Sequence, residues 1–361
     1  MRLLFVPYGT EQAPATRYRV MQYIPHLKAR GIECRVFSAI SRFSTSVMIM
    51  SPDFAPPAKF LYYLYIFVER LFRLLAIIAV SARYDAVFLQ RTTFPMRLEL
   101  LLRLVNPRII FDIDDAIYLP DKKEESIIGK IKKYVKKSEV VHVLRVSRCV
   151  IIENEYIGSF VSNYCGNVFK IPGPIDTDRF SAGERQGRQA EVVIGWIGSP
   201  ATTVYLHMLD RIFKELASKY GNLRFRFIGI GRYDDPGVPF ERIAWSYDTE
   251  VKELRRFDIG VMPMPDDEWT KGKLGCKMLQ YMSVGIPAVV SYTPTNAEII
   301  KDGENGFFVK SGEWTEVLSP LIEDGSLRRR IGARGRETIL DKCSLTGNTD
   351  VLVEIVKKMA A

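Results

Sequence analysis

The chain runs to 361 residues, too long for one ordinary core and suited to two, and its 47% hydrophobic and 26% charged content is that of a globular protein. A formal charge of +9 and a pI near 9.2 point to an acidic partner, and the absence of zinc-finger spacing, an RNA-binding signature or a basic tail sets nucleic acid aside in favour of anionic lipid or a phosphorylated substrate. Five scattered cysteines without a C-x-x-C pair argue for reduced thiols in the cytoplasm, and three dispersed histidines argue against a histidine metal site.

The opening MRLLFVPYG is apolar but short; it reads as a first strand over residues 3–7 and not as a signal peptide. A helix over 17–30, closed by Gly31, and a strand over 33–37 follow. Residues 60–80, FLYYLYIFVERLFRLLAIIAV, have the length of a bilayer span. Glu69, Arg70 and Arg73 sit mid-span, however, and each central charge costs about 2.5–3.5 kcal/mol on insertion, so a buried or interfacial helix is expected. Strands over 85–90 and 108–113 flank a helix over 97–104, a helix follows over 130–138, and segments 140–146 and 149–153 carry the next αβ transition. Short apolar runs alternating with amphipathic helices imply a parallel sheet covered on both faces.

The Pro-, Gly- and charge-rich stretch IPGPIDTDRFSAGERQGR marks a join. The expected division is a first domain over 1–172, a linker over 173–190, a second domain over 191–341 and a terminal helical segment over 342–361. The second series has strands over 192–197, 223–228, 242–244, 259–262 and 288–291. Its helices fall over 204–219, 250–256, near 296–301 and over 327–340, with 350–359 closing the chain. The fold class is α/β: two Rossmann-like βα domains facing each other across a cleft, where open sheets of this kind bind ligands.

The most informative stretch is WTKGKLGCKMLQYMSVGIPAVVSYTPTNAEII. A basic, glycine-broken loop enters a short helix, so Lys273, Lys277 and the backbone at Gly275 and Cys276 are arranged to hold a diphosphate; two solvated lysines flanking a helix start are the simpler reading. Ser199 and Thr202, beside Gly198 in GSPATT, read as a helix cap whose amides also suit phosphate. FDIDDAIY sets Asp112, Asp114 and Asp115 at a strand's carboxyl end, for general-base or sugar-positioning work, for a metal, or as a turn. Arg17 and Arg19 in ATRYR are suited to phosphate or to a solvated helix face, and Gln90 and Arg91 end another strand. In SIIGKIKKYVKKSEVV, Ile127, Ile131, Tyr134 and Val135 share a face expected to pack on the core, while Lys130, Lys132, Lys133, Lys136 and Lys137 lie opposite and suit an anionic membrane surface.

Five segments, IPGPIDTDRF, IGWIGSPATTVYL, FDIGVMPMP, GKLGCKMLQYMSVGIPAVVS and DGENGFF, in this order and spacing, resemble the retaining glycosyltransferase family 4 of GT-B fold. The resemblance implies transfer of a sugar from a nucleotide-diphosphate-sugar to a glycan or lipid-linked acceptor in surface polysaccharide or glycoconjugate synthesis, with no cofactor and no metal. The donor belongs to the second domain and the acceptor to the first. It sets Trp245 and Ser246 at the base, Gly9 and Thr10 in a loop near the donor phosphate, and Gly272 and Gln280 where the family has paired glutamates. Gln280 retains the means to bond a ribose hydroxyl; Gly272 does not replace a carboxylate. A nucleotide-sugar epimerase of the same fold and a non-catalytic scaffold subunit are the rival readings. The expected location is the cytoplasm, peripheral on the inner face of the cell membrane.

Overall fold

The computed structural model describes residues 1–50, 55–119, 127–183, 191–234, 237–310 and 312–360, with backbone alone at 56, 59 and 127–133. They form two compact units: residues 1–174 with 272–274 and 345–361, and residues 175–271 with 275–344.

In the first unit, β1 (Arg2–Pro7), β2 (Glu33–Val36), β3 (Ala86–Gln90), β4 (Ile109–Ile113), β5 (Cys149–Ile152) and β6 (Val168–Lys170) form one parallel sheet in the order β2-β1-β3-β4-β5-β6. Strands β3, β4 and β5 are buried along their whole length, as largely apolar runs, interrupted only by Gln90 and Asp112, require under two covered faces. The helices are α1 (Pro14–Thr16), α2 (Tyr23–Ala29), α3 (Arg42–Met50), α4 (Pro56–Ser81), α5 (Leu98–Val105), α6 (Ile127–Val146) and α7 (Glu155–Val161). Leu74 and Ile77 of α4, Leu102 of α5 and Val140 and Val143 of α6 enter one core; Leu27 of α2 enters another together with Leu352 and Val356 of the closing helix.

Two expectations change here. The single helix over 17–30 is broken: a π-helical turn, Arg17–Met21, separates α1 from α2. Pro25 has no N–H to offer the Met21 carbonyl, so a regular α-helix is not available there. In α6, Tyr134 is 76% exposed and Val135 50%, so these two residues of the face expected to pack inward point outward; the side chains of Ile127 and Ile131 lie outside the described residues, and core-facing residues come later in the helix. That helix also absorbs 140–146, which had been expected in the transition to β5.

The second unit repeats the plan with β7 (Val192–Ile197), β8 (Leu223–Ile228), β9 (Glu241–Ile243), β10 (Ile259–Met262), β11 (Ala288–Ser291) and β12 (Phe307–Val309), parallel, in the order β12-β11-β10-β7-β8-β9. Its helices are α8 (Asp210–Lys219), α9 (Glu250–Leu254), α10 (Glu268–Lys271), α11 (Cys276–Ser283), α12 (Trp314–Glu323) and α13 (Gly325–Lys342); α14 (Leu345–Ala360) belongs to the first unit. The helix expected over 204–219 splits into a 3-10 segment, Pro200–Leu209, followed by α8. The β-branched run Thr202-Thr203-Val204 disfavours an α-helix at that point.

From β7 the chain winds outward through β8 and β9, then returns to the other side of β7 as β10. Such a reversal of direction is where a parallel sheet opens a crevice at its carboxyl edge. Tyr281 of α11 is fixed against this reversal. Its hydroxyl accepts from the Ile197 amide at 3.1 Å and donates to the Val261 carbonyl at 3.2 Å, so one phenol ties the helix to β7 and β10 together. The ring lies where a side chain on Gly260 would stand, and Gly260 is in register with Gly195, whose missing side chain makes room for Phe257. Gly260→Ala therefore overpacks this contact and is expected to cost about 1–3 kcal/mol, measured as a lower urea midpoint; an unchanged midpoint contradicts the packing described.

Candidate functional site

Strand β7 ends in Gly198-Ser199-Pro200, and Ser199 begins the 3-10 segment. Thr202 Oγ1 accepts from the Ser199 amide at 3.2 Å, and the Thr202 amide donates to the Ser199 carbonyl at 2.9 Å. The Gly198 amide is bonded to the Ile228 carbonyl. Ser199 and Thr202 thus form a capping box, as the cap reading expects, and the Gly198 amide is engaged with the end of β8, so these three amides are already bonded within the protein. What the turn offers instead is hydroxyl groups and a neighbouring cation. Lys277, in the first turn of α11, donates from Nζ to Thr202 Oγ1 at 3.3 Å, and its ammonium lies 4.6 Å from the centre of the buried Trp196 ring. Gly275 precedes α11 with its amide bonded to Asn296 Oδ1 at 3.2 Å. The following residues supply first-turn amides and the positive end of the helix dipole.

Around this centre Gln280 is buried and Cys276 exposed. Trp245 is 38% exposed, and its indole N–H donates to Glu250 Oε2 at 2.6 Å. Ser246 receives the backbone N–H of Asp248 on its hydroxyl at 3.3 Å. Lys273 groups with the first unit and Lys277 with the second. Gly272 also groups with the first unit, where Asn154 donates to its carbonyl at 3.2 Å. A Cβ there would stand 2.7 Å from that of Ala116, so a glutamate does not fit at this position without displacing the backbone.

The carboxyl edge of the first sheet carries a different chemistry. Arg19, carried on the π turn, is buried and grips Asp112 through two N–H groups, one at 3.1 Å, while donating to the Ile171 carbonyl at 3.0 Å. That takes it out of the set offered to a phosphate. Arg17 donates to the Glu11 and Gln12 carbonyls at 3.2 and 2.8 Å and so shapes the loop holding Gly9 and Thr10. The Thr10 amide is bonded to Thr45 Oγ1 at 3.1 Å, and the Gly9 carbonyl accepts from Thr16 Oγ1. Arg91, in the left-handed region at φ 53°, binds Asp114 Oδ2 and Asp115 Oδ2, each at 2.6 Å, and Gln90 donates to Asp114 Oδ1 at 3.2 Å. Asp112, Asp114 and Asp115 are thus buried ion-pair partners of two arginines.

Glu153, the residue after β5, was not anticipated, although an acid closing the apolar run CVII is a visible signal. It is 5% exposed and is neighboured by Arg19, Arg91, Asp114 and Asp115. Four carboxylates here face two guanidiniums. Burial and the charges of Asp114 and Asp115 push the Glu153 carboxyl well above its ordinary range, against the pull of the arginines. Burial also raises Asp114, but Arg91 more than offsets it and leaves Asp114 below the usual carboxylate range. Burial likewise raises the Asp112 carboxyl against the pull of Arg19, and Glu153 is the member pushed well above its ordinary range.

Residues 241–338 match the family model described as Glycosyl transferases group 1. That stretch of the second unit is similar to the group 1 glycosyl transferases. The chain is 20% identical over 252 residues to TuaH of Bacillus subtilis, named as a teichuronic acid biosynthesis glycosyltransferase, covering 64% of this chain and 60% of that one. It is 36% identical over 137 residues to the Bacillus subtilis glycosyltransferase EpsD, covering 35% of each. The chain thus spans less than two thirds of the length of either relative. Among solved structures, HepE of Anabaena in complex with UDP covers 99% of this chain and 100% of its own, with a TM-score of 0.69 at 14% identity. The likeness supports the GT-B fold, with two parallel six-stranded sheets. Lys277, Gln280, Trp245 and Ser246 all lie within the stretch matched to the group 1 glycosyl transferases.

A carboxyl that binds its proton more tightly when folded stabilises the protein below its unfolded pKa and loses that stabilisation as pH rises. Glu153→Gln removes this loss. The wild type should therefore lose thermal stability relative to Glu153→Gln as pH rises above the ordinary carboxylate range, followed by denaturation scans. Parallel profiles for the two proteins would show that Glu153 titrates normally.

Proposed function

We propose that this protein transfers a sugar from a nucleotide-diphosphate-sugar to a glycan or lipid-linked glycan in surface polysaccharide synthesis, with retention at the anomeric carbon. It works without a metal, in the cytoplasm and at the membrane periphery. The observation that carries this reading is Lys277, held by α11 at the carboxyl edge of the second sheet beside the Thr202 hydroxyl and the Trp196 ring. An ammonium at that point meets a diphosphate, and the half-exposed Trp245 offers an aromatic surface to a base. Gln280 is the residue we assign to a ribose hydroxyl. Lys273 is not needed for the diphosphate and is left to the first unit.

In the reaction the bond between the anomeric carbon and the diphosphate oxygen breaks, a bond to the acceptor oxygen forms, and the acceptor's proton is released. Negative charge grows on the leaving diphosphate, and a cation already in place stabilises it without reorganisation. Asp114 and Asp115, saturated by Arg91, are not arranged as metal ligands, and we assign them to holding the acceptor-side edge in shape.

Incubation with a panel of nucleotide-sugars distinguishes the readings. Released nucleoside diphosphate is expected for a transferase; interconversion of sugars would identify an epimerase, and saturable binding without change a scaffold. Lys277→Ala should raise the Kd for the nucleoside diphosphate about 10- to 100-fold, the loss of a hydrogen bond to a charged group, and leave that for the nucleoside nearly unchanged. Equal losses for both would remove Lys277 from the diphosphate.

A further inference from the structure

The outer face of the first unit is apolar to an extent its core does not explain. On α4, Phe60 and Phe72 are 68% and 67% exposed, and Leu61, Tyr63, Leu64 and Phe67 are exposed with them. Helix α5 packs beside α4 and adds Leu100, Leu101 and Leu104, the last 81% exposed; α6 packs beside α5 and adds Tyr134 and Val135. Monomeric soluble proteins rarely expose so much contiguous apolar surface without a partner for it. Among the described residues no helix is long and apolar enough to cross a membrane.

Charge selects the partner. The three helices contain three acidic residues, and each is turned inward: Glu69 to the Ser41 amide and the Ser44 hydroxyl, Glu99 to a fully buried position with Arg97, and Glu139 to Arg70 and Thr93. Among the described side chains the exposed charges of these helices are basic: Arg103, Lys136, Lys137 and Arg145, of which Lys137 and Arg145 lie over the Phe160 and Tyr164 rings beside α6. A second copy would bring the same positive rim against itself, whereas an anionic leaflet attracts it. Exposed phenylalanine and tyrosine beside lysine and arginine are the side chains suited to the headgroup level. Lys130, Lys132 and Lys133 lie outside the described side chains and play no part here.

Topology gives the orientation. Each of these helices leads into the next strand of one parallel sheet and returns the chain to the sheet's amino edge, so its N-terminal half lies at the carboxyl edge. Contacts agree: Tyr62 donates to the Ser44 carbonyl, and the Arg70 guanidinium stands 5.7 Å from the centre of the Tyr8 ring, just beyond β1. The aromatic half of α4 thus adjoins the edge that carries Arg91, Asp114 and Glu153.

We propose that the α4–α5 face, with the basic residues of α6, docks on an anionic lipid leaflet and that the acceptor is carried on a lipid, its polar head reaching the carboxyl edge of the first sheet. The second clause rests on the transferase reading; the first does not. The test is flotation of the full chain with phosphatidylcholine vesicles, with and without phosphatidylglycerol. Wild-type protein should float with the anionic vesicles and be released by salt. Phe60→Gln/Phe67→Gln/Phe72→Gln should lower vesicle binding at least about tenfold with an unchanged circular dichroism spectrum and unchanged nucleotide binding. Lys136→Glu/Lys137→Glu should abolish the preference for anionic lipid. Undiminished flotation of the triple glutamine variant overturns the docking face. So does a wild-type dimer that does not float and that the triple variant dissociates, which would make the occupant a second copy. If docking holds, transfer to a lipid-carried acceptor should fall with the triple variant while transfer to a short soluble analogue does not. Equal rates on both acceptors overturn the acceptor class alone, and absence of any transfer counts against the enzymatic reading while leaving the docking result intact.

Discussion

Everything at the carboxyl edge of the second sheet depends on where Tyr281 puts α11. A phenol bonded to both Ile197 and Val261 locks the helix across the reversal between β7 and β10. Its ring needs the bare backbone of Gly260 beneath it. One turn earlier on the same helix is Lys277, and its reach to Thr202 follows from that seat. The constraint is steric first and electrostatic second: two glycines in adjacent buried strands cost some β propensity, and in return the helix approaches closely enough for its lysine to stand over Trp196. A cation held against an aromatic face beside a hydroxyl is preorganised, the condition under which charge stabilises a leaving diphosphate most effectively.

The first unit solves a different problem. Carboxylates gather at its sheet edge in excess of the arginines that neutralise them, and such a set survives burial only if paired or protonated. Asp112 and Asp114 are paired by Arg19 and Arg91. Glu153 lies among them with its carboxyl pushed well above the ordinary range by burial and by its acidic neighbours. The π turn matters here because it carries Arg19, which is buried against Asp112. Polar order at this edge and apolar exposure along α4 are neighbours in one unit, a combination suited to a substrate with a sugar head and a hydrocarbon anchor.

The strands were the most legible part of the sequence. Runs such as VVIGWI, AVFLQ and CVII are short, apolar and bounded by turn residues, and buried parallel strands have little freedom to be written otherwise. Helices were less legible where local chemistry interrupts the period, as with Pro25 after the π turn and the β-branched run at Thr202. The outward face of α6 was misread because its apolar residues were taken to mark a core, whereas Tyr134 and Val135 continue an apolar surface built by α4 and α5. A single helix cannot reveal that. Of the site, Lys277, Trp245 and Gln280 could be selected from the order of motifs. The arginine–aspartate pairs were hidden, because Arg19 and Asp112 stand 93 residues apart and only the fold brings them together.

The central claim is that the second unit holds a diphosphate at Lys277. A crystal structure of the protein soaked with a nucleoside diphosphate tests it most directly. The account predicts phosphate oxygens within hydrogen-bond distance of Lys277 Nζ, with the base near Trp245. A diphosphate bound elsewhere, with the lysine ammonium still on Thr202 and Trp196 alone, would contradict it.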